Sequence, residues 1–332
     1  MRIGDYEIII KDEIKDEVKN GRILVQLPEG LKIRYGEFYD LFKSLGASSV
    51  FISGDPYYGA CDMYEGKGFD HVLQIGHTPF NDERVLEMRR VGGLSEGDVE
   101  KIANRLSAEG MHKIGLLTTA QHLDFLKEVR EALASKGFKV FVGKGKKCFY
   151  PGQLLGCDIG AARDIVPKVD GFIFIGDGAF HVIPIAGKVI ALDPYTKEMS
   201  YVDSERHFRK RFAVIEWASE REDWLVVGSL KSGQMDLDGC ELMKRILEDR
   251  GKNVTTIAMR EITSAYLKPF DGKACTIVGC PRICEDIPGA LNPVETLVAL
   301  GLRKFEDYIA NPFMDWKDEK ERVGIKTSGY PG

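Results

Sequence analysis

The sequence predicts an α/β protein made of three similar small domains, each built on a parallel sheet. The order strand, helix, strand, loop, strand begins three times, near Ile23, Lys113 and Leu225, and a glycine that would end the helix follows 23, 24 and 26 residues later. Short apolar strands that alternate with helices form parallel units with right-handed crossovers. Because the repeat is longer than the roughly 20–50 residues of solenoid units, we expect three compact domains with pseudo-threefold symmetry around a shared centre.

The first third opens with a charged segment that precedes the repeat. Its apolar positions at helical spacing, which predict an edge element packed on the body, are Ile8, Ile9, Ile10, Ile14 and Val18. The repeat then reads ILVQLP as strand, EFYDLFKSLG as helix ended by Gly46, SSVFISG as strand, and VLQIG as strand.

The second and third parts follow the same order. KIGLLTTA, KVFVGKG and GFIFIGDGAF are predicted strands, with a helix ended by Gly137 after the first of them. LVVGSLKSG, NVTTIAM and CTIVGCP repeat the pattern, with a helix ended by Gly251. The expected domain bounds are residues 1–94, 95–205 and 206–332.

Composition excludes several classes of protein. Of 332 residues, 44% are hydrophobic and 29% charged, which is an ordinary globular balance. The net charge of −5 gives no general attraction to nucleic acid, so RNA or DNA is not an expected partner. No apolar run approaches the roughly 20 residues of a membrane span, and the start lacks the order of a secretory signal. We therefore expect a cytoplasmic protein without a membrane partner.

Three of the seven cysteines lie where chemistry is expected. Cys61, Cys157 and Cys280 occupy glycine-containing segments, GDPYYGACD, YPGQLLGCD and GCPRI, near the carboxyl ends of predicted strands. Loops at that edge of parallel sheets form most ligand sites. Three thiolates suit a four-iron cluster with one iron open to substrate. The competing interpretation is plain burial, which is common for free cysteine.

The other four cysteines fit burial better. Cys240 lies within a predicted helix, Cys275 begins a strand, and Cys148 has no counterpart in the other repeats. Cys284 forms C-x3-C with Cys280, which we interpret as incidental because the sequence contains no CxxC. GxxxxGK[ST] and HExxH are also absent, and the histidines are assigned no role.

Taken together, GDPYYGACD, YPGQLLGCD, LKSGQ and GCPRI make the chain resemble the archaeal diphthamide synthase subunit family, which makes 2-(3-amino-3-carboxypropyl)histidine. The similarity runs from LPEGL near residue 27 to the GYPG tail. It implies that Cys61, Cys157 and Cys280 hold a [4Fe–4S] cluster whose open iron binds S-adenosylmethionine. The 3-amino-3-carboxypropyl group would then join C2 of a histidine in translation elongation factor 2, leaving methylthioadenosine. The resemblance also implies a homodimer and an unidentified electron donor.

We expect four further residues to line the S-adenosylmethionine pocket: Gln153, Ser232, Gln234 and Arg282. Arg282 lies two residues after a predicted ligand, and its planar guanidinium could pair with the methionyl carboxylate through two parallel hydrogen bonds. The alternative for Arg282 is a surface ion pair with Glu285 or Asp286.

Two other functions remain open at this point. Quinolinate synthase and hydroxymethylbutenyl diphosphate reductase also resemble three α/β domains around a cluster with an open iron, and they act on small molecules. A second alternative is a non-catalytic partner subunit, because the eukaryotic family works as an unequal pair. The three candidate ligands argue against that alternative.

Overall fold

The computed structural model describes residues 1–79, 84–178 and 180–317. Its strands are β1 (Arg2–Ile3), β2 (Tyr6–Ile8), β3 (Arg22–Gln26), β4 (Ser49–Ile52), β5 (His71–Ile75), β6 (Val85–Leu86), β7 (Met88–Arg90), β8 (Lys113–Thr118), β9 (Lys139–Phe141), β10 (Gly171–Ile175), β11 (Val189–Leu192), β12 (Met199–Tyr201), β13 (Asp223–Ser229), β14 (Asn253–Met259), β15 (Ala274–Val278) and β16 (Ala290–Leu291).

The α-helices are α1 (Asp12–Val18), α2 (Glu29–Lys32), α3 (Tyr35–Ser44), α4 (Glu96–Ala108), α5 (Leu123–Ser135), α6 (Gly160–Arg163), α7 (Ser204–Ser219), α8 (Leu237–Asp249), α9 (Ser264–Leu267), α10 (Ile283–Asp286), α11 (Pro293–Ala299) and α12 (Phe305–Ala310). Short 3₁₀ turns cover Ala120–His122, Val166–Lys168 and Lys268–Phe270.

Three parallel sheets confirm the predicted fold class. Their strand orders are β4-β3-β5-β6, β12-β11-β10-β8-β9 and β14-β13-β15-β16. In each sheet, the first strand of the repeat pairs in parallel with both the second and the third. In the second sheet, β11 continues the parallel order next to β10, and the edge strand β12 is antiparallel to β11. β10 and β15 are buried along their whole length and β3 is buried after its first residue, as expected for sheets covered on both faces.

The predicted helix ends are confirmed by backbone geometry. Gly46, Gly137 and Gly251 have φ of 94°, 90° and 73°, a left-handed conformation that glycine adopts without steric cost. After each glycine, the next amide donates back across the helix end, as in Ala47 N to Phe42 O at 3.2 Å. The three helices therefore end in the same way, as expected for a repeated unit.

The prediction for residues 1–20 is partly wrong. Ile8 lies in β2, which pairs with β1 and β7 in an antiparallel sheet, so the segment is not one helical face. Ile14 and Val18 are buried by the short helix α1, whereas Ile9 is 45% exposed. Successive side chains of a strand point to opposite sides, so at the end of β2 Ile8 is turned to the core and the following Ile9 to solvent.

The chain forms two compact units, Met1–Val202 and Asp203–Gly332. The first contains two of the parallel sheets and the second contains the third. The predicted domain boundaries, between residues 94 and 95 and between residues 205 and 206, stay predictions. The GYPG tail lies outside the described residues. None of the helices described is long and apolar enough to cross a membrane.

Candidate metal and substrate site

Exposure separates the cysteines into the two groups that the sequence predicts. Cys61, Cys157 and Cys280 are partly exposed, whereas Cys148, Cys240, Cys275 and Cys284 are buried. Iron must reach the sulfur atoms of its ligands, so partial exposure suits the first group. The second group is explained by packing.

Burial also makes the second group poor ligands. It raises the pKa of the Cys148 and Cys275 thiols to about 12 and that of Cys240 to about 11. The pKa of the fully enclosed Cys284 also lies well above the usual value because of burial. Since the thiolate is the form that binds metal, burial makes metal binding less favourable at these four side chains.

The loop that carries Cys61 is fixed to the carboxyl end of β3 by Gln26. The Gln26 side-chain amide donates to the carbonyl of Asp62 at 3.4 Å, and its oxygen accepts from the backbone N–H of Tyr64 at 3.0 Å. Gln26 is buried, so these bonds are shielded from water. Sequence reasoning missed this residue. A polar side chain that closes the apolar strand ILVQ was the available signal.

Asp158 fixes the loop that carries Cys157. Its carboxylate accepts from the backbone N–H of Lys147 at 2.6 Å and of Gly160 at 2.7 Å. A Cβ on Gly145 would lie 2.6 Å from this carboxylate, so glycine is required for the close approach. Asp158 was not predicted from the sequence either, although an Asp directly follows both Cys61 and Cys157.

Within the first unit, the ends of β5 and β8 meet close to both loops. Gln121, in the turn after β8, donates to the carbonyl of Gly76, which directly follows β5. Gln153 donates to Thr78 Oγ1 at 2.7 Å. The carboxyl edges of the first two sheets are therefore joined by hydrogen bonds, as expected if both contribute to one site.

The second unit presents Cys280 at the carboxyl edge of its own sheet. Gly279 separates Cys280 from the end of β15, and a Cβ at Gly279 would lie 3.0 Å from Ser229 Cβ and 3.7 Å from Gln234 O. The small residue lets the Cys280 segment lie close to the LKSGQ loop. That loop is itself fixed at its start, where the buried Lys231 pairs with Glu261 at 3.0 Å.

The four predicted pocket residues fall into different environments. Ser232 is exposed and Gln234 is half-buried in the LKSGQ loop, and the Gln234 carbonyl lies near Gly279, next to Cys280. Arg282 is 6% exposed and donates through Nη1 to Glu285 at 3.2 Å, so the alternative ion pair is present, although buried. Gln153 is fully buried, with its amide bonded to Thr78 and to the Tyr150 N–H. Their contact with a ligand stays a prediction.

The three-cysteine ligand set also stays a prediction. In residues 1–79, 84–178 and 180–317, no group of three or more His, Cys, Asp or Glu side chains is arranged as a metal site. The donor chemistry nevertheless fits an iron–sulfur cluster, because three partly exposed thiols follow strand ends in glycine-containing loops.

The buried His122, in the turn after β8, should make the stability of the fold decrease at acidic pH. It is 2% exposed, and burial lowers its pKa to about 4, with Asp177 opposing this effect and Arg90 adding to it. Between pH of about 6.5 and 4 the unfolded chain binds a proton that the folded chain rejects, so acidification should cost about 3 kcal/mol of stability. His122→Gln should therefore flatten the decline of the thermal midpoint across this window, followed by far-ultraviolet circular dichroism. The exposed His112→Gln is the control, and equal slopes in both variants would contradict the assignment.

Comparison with known proteins identifies relatives of this chain. The family described as "Putative diphthamide synthesis protein" matches residues 27–309. The 2-(3-amino-3-carboxypropyl)histidine synthase of Pyrococcus horikoshii is 34% identical, over 96% of this chain and 97% of the relative. Subunit 1 of the synthase from Dictyostelium discoideum is 28% identical, over 84% of this chain and 65% of that subunit.

A solved structure is similar as well. The crystal structure of Dph2 from Pyrococcus horikoshii with a 4Fe-4S cluster superposes with a TM-score of 0.78 at 32% sequence identity, covering 88% of this chain and 90% of that one. With a family match over most of the sequence and a relative at 34% identity along nearly its whole length, this chain belongs to the diphthamide synthesis protein family.

Proposed function

We propose that this chain is a 2-(3-amino-3-carboxypropyl)histidine synthase that acts in the first step of diphthamide synthesis. The partial exposure of Cys61, Cys157 and Cys280, in a chain whose other cysteines are buried, is the observation that carries the proposal. The substrates are S-adenosylmethionine and one histidine of translation elongation factor 2. In net balance the bond between sulfur and the methionine γ-carbon breaks, a bond forms from that carbon to imidazole C2, and a proton leaves the ring.

Cys61, Cys157 and Cys280 would hold a [4Fe–4S] cluster. When bound and reduced by a donor protein, the cluster would supply one electron to cleave the sulfonium and would recover one electron as the ring loses its proton, so the net reaction consumes none. The protein's own contribution is orientation and exclusion of water. Gln26 and Asp158 hold two of the cysteine loops through buried or half-buried hydrogen bonds. Arg282 provides a planar donor for the methionyl carboxylate, and Ser232 and Gln234 offer hydrogen bonds from the neighbouring loop.

The decisive experiment supplies reduced, anaerobically purified protein with S-adenosylmethionine and elongation factor 2. We expect methylthioadenosine and a modified histidine to form together in the complete mixture. Absence of both products would remove the proposal. Turnover of a small molecule instead would favour the quinolinate synthase-like or reductase-like alternative.

The similarity to a protein called subunit 1 gives the partner-subunit alternative a specific basis. Activity of the purified chain alone, as a homodimer, is what we expect. Activity that appears only after a second, related chain is added would support the partner-subunit role instead. Sedimentation of the same preparation reports whether the active species contains two copies.

A further inference from the structure

Arg282 lies in a tight turn that begins at Cys280. The N–H of Ile283 donates to the Cys280 carbonyl at 3.2 Å, and the N–H of Glu285 donates to the Arg282 carbonyl at 3.1 Å. The short helix α10 therefore starts at once, and the Arg282 and Glu285 side chains are neighbours one turn apart on it. Any group that fixes α10 also fixes the backbone from which the Arg282 side chain extends.

Glu285 links Arg282 to a second element, α7. One carboxylate oxygen accepts from Arg282 Nη1 at 3.2 Å, and the other lies 3.3 Å from His207 Nδ1. His207 is 5% exposed, and its pKa is lowered to about 4 by burial and by the positive charges of Arg282 and Arg211. The neutral ring can donate its Nδ1 proton to Glu285, which assigns the tautomer from the geometry.

The same face of α7 holds the backbone of the turn. Arg211 lies one helical turn after His207, and its guanidinium donates to the carbonyls of Cys284 at 3.2 Å and Ala290 at 2.7 Å. α7 thus contacts α10 twice, through a side chain at Glu285 and through the backbone at Cys284. The Arg282 contact with Glu285 is made through Nη1, and a guanidinium carries five N–H donors in a planar fork.

We propose that Glu285, supported by His207, is a positioning residue that orients Arg282 toward the carboxylate of S-adenosylmethionine. This inference rests on the proposed function. Glu285 is half-buried and does not itself need to touch the substrate. Its effect should therefore depend on whether the bound molecule has a carboxylate for Arg282 to contact.

The test compares two ligands with one variant. Binding of S-adenosylmethionine and of decarboxylated S-adenosylmethionine is measured on protein with its cluster oxidised, so that neither is cleaved. Glu285→Gln should weaken binding of S-adenosylmethionine by about tenfold, because a charge-assisted hydrogen bond that orients Arg282 is lost, and should leave the decarboxylated compound unchanged. Iron content and the electron paramagnetic resonance spectrum of the reduced cluster should match those of the unsubstituted protein.

Controls separate positioning from general damage. Glu248→Gln makes the same chemical change in the exposed pair with Lys244 and should alter neither affinity. Glu285→Asp keeps the charge and should restore part of the lost affinity. Equal weakening of both ligands, or no change in either, would overturn the positioning role. Failure of the unsubstituted protein to bind S-adenosylmethionine would overturn the proposed function, and this inference with it.

Discussion

Replacing Cys61, Cys157 or Cys280 with alanine should leave protein that contains little iron and makes no product. Each of these partly exposed thiols is a proposed ligand, and a cluster that loses one of three protein ligands is neither held nor shielded from solvent. The measurements are iron and acid-labile sulfide per chain after anaerobic purification, together with methylthioadenosine formation.

Cys148→Ala and Cys240→Ala are the matched controls, because both thiols are buried and their pKa values are raised by burial. These variants should keep their iron and show only the modest loss of stability that follows removal of a packed sulfur atom. Equal iron content in all five variants would contradict the ligand assignment.

Arg211→Met should destabilise the second unit by about 3–5 kcal/mol, because it leaves a buried carboxylate without its partner. Arg211 and Glu295 form a two-point ion pair at 2.6 and 2.7 Å, and the Glu295 side chain is only 1% exposed. The tryptophans of the sequence, Trp217, Trp224 and Trp316, all lie in this unit, so urea unfolding followed by their fluorescence reports on it directly.

The double variant Arg211→Met with Glu295→Gln should recover part of the loss, since the buried charge is then removed. Lys244→Met breaks an exposed pair and should cost less than about 1 kcal/mol. If Arg211→Met were no more costly than Lys244→Met, the ion pair would not be a main support of α7 and α11.

The sheets could be predicted because each depends on local pattern. The apolar runs at Ile23, Lys113 and Leu225 became central strands, and the glycines after the helices adopt positive φ as expected. The prediction for the N-terminal segment failed for a specific reason. Its three consecutive isoleucines fit several periodicities, and only pairing of β2 with β1 and β7 decides which of them are buried.

The site could be predicted only where residue type carries chemistry. Cysteine in a glycine-containing loop predicts a metal ligand, and the three cysteines chosen in this way are partly exposed, while the ligand set itself stays a prediction. Gln26 and Asp158 were not predicted, and Glu285 was expected only as a surface partner of Arg282, because amides and carboxylates are common on surfaces and their partners are not visible in sequence. Their roles depend on partners up to 78 residues away, as for His207 and Glu285.

The sequence by itself determined the core strands of the three parallel sheets and the helix ends, because these depend on near neighbours, and it singled out three cysteines as candidate ligands by their side-chain chemistry. Tertiary structure alone decided which polar groups hold the loops in place, since a buried carboxylate or amide must find its partner wherever the folded chain brings one. Arg211 illustrates the difference. In the sequence it is one of several basic residues at 206–211, whereas in the fold it is buried and supports the turn that begins at Cys280.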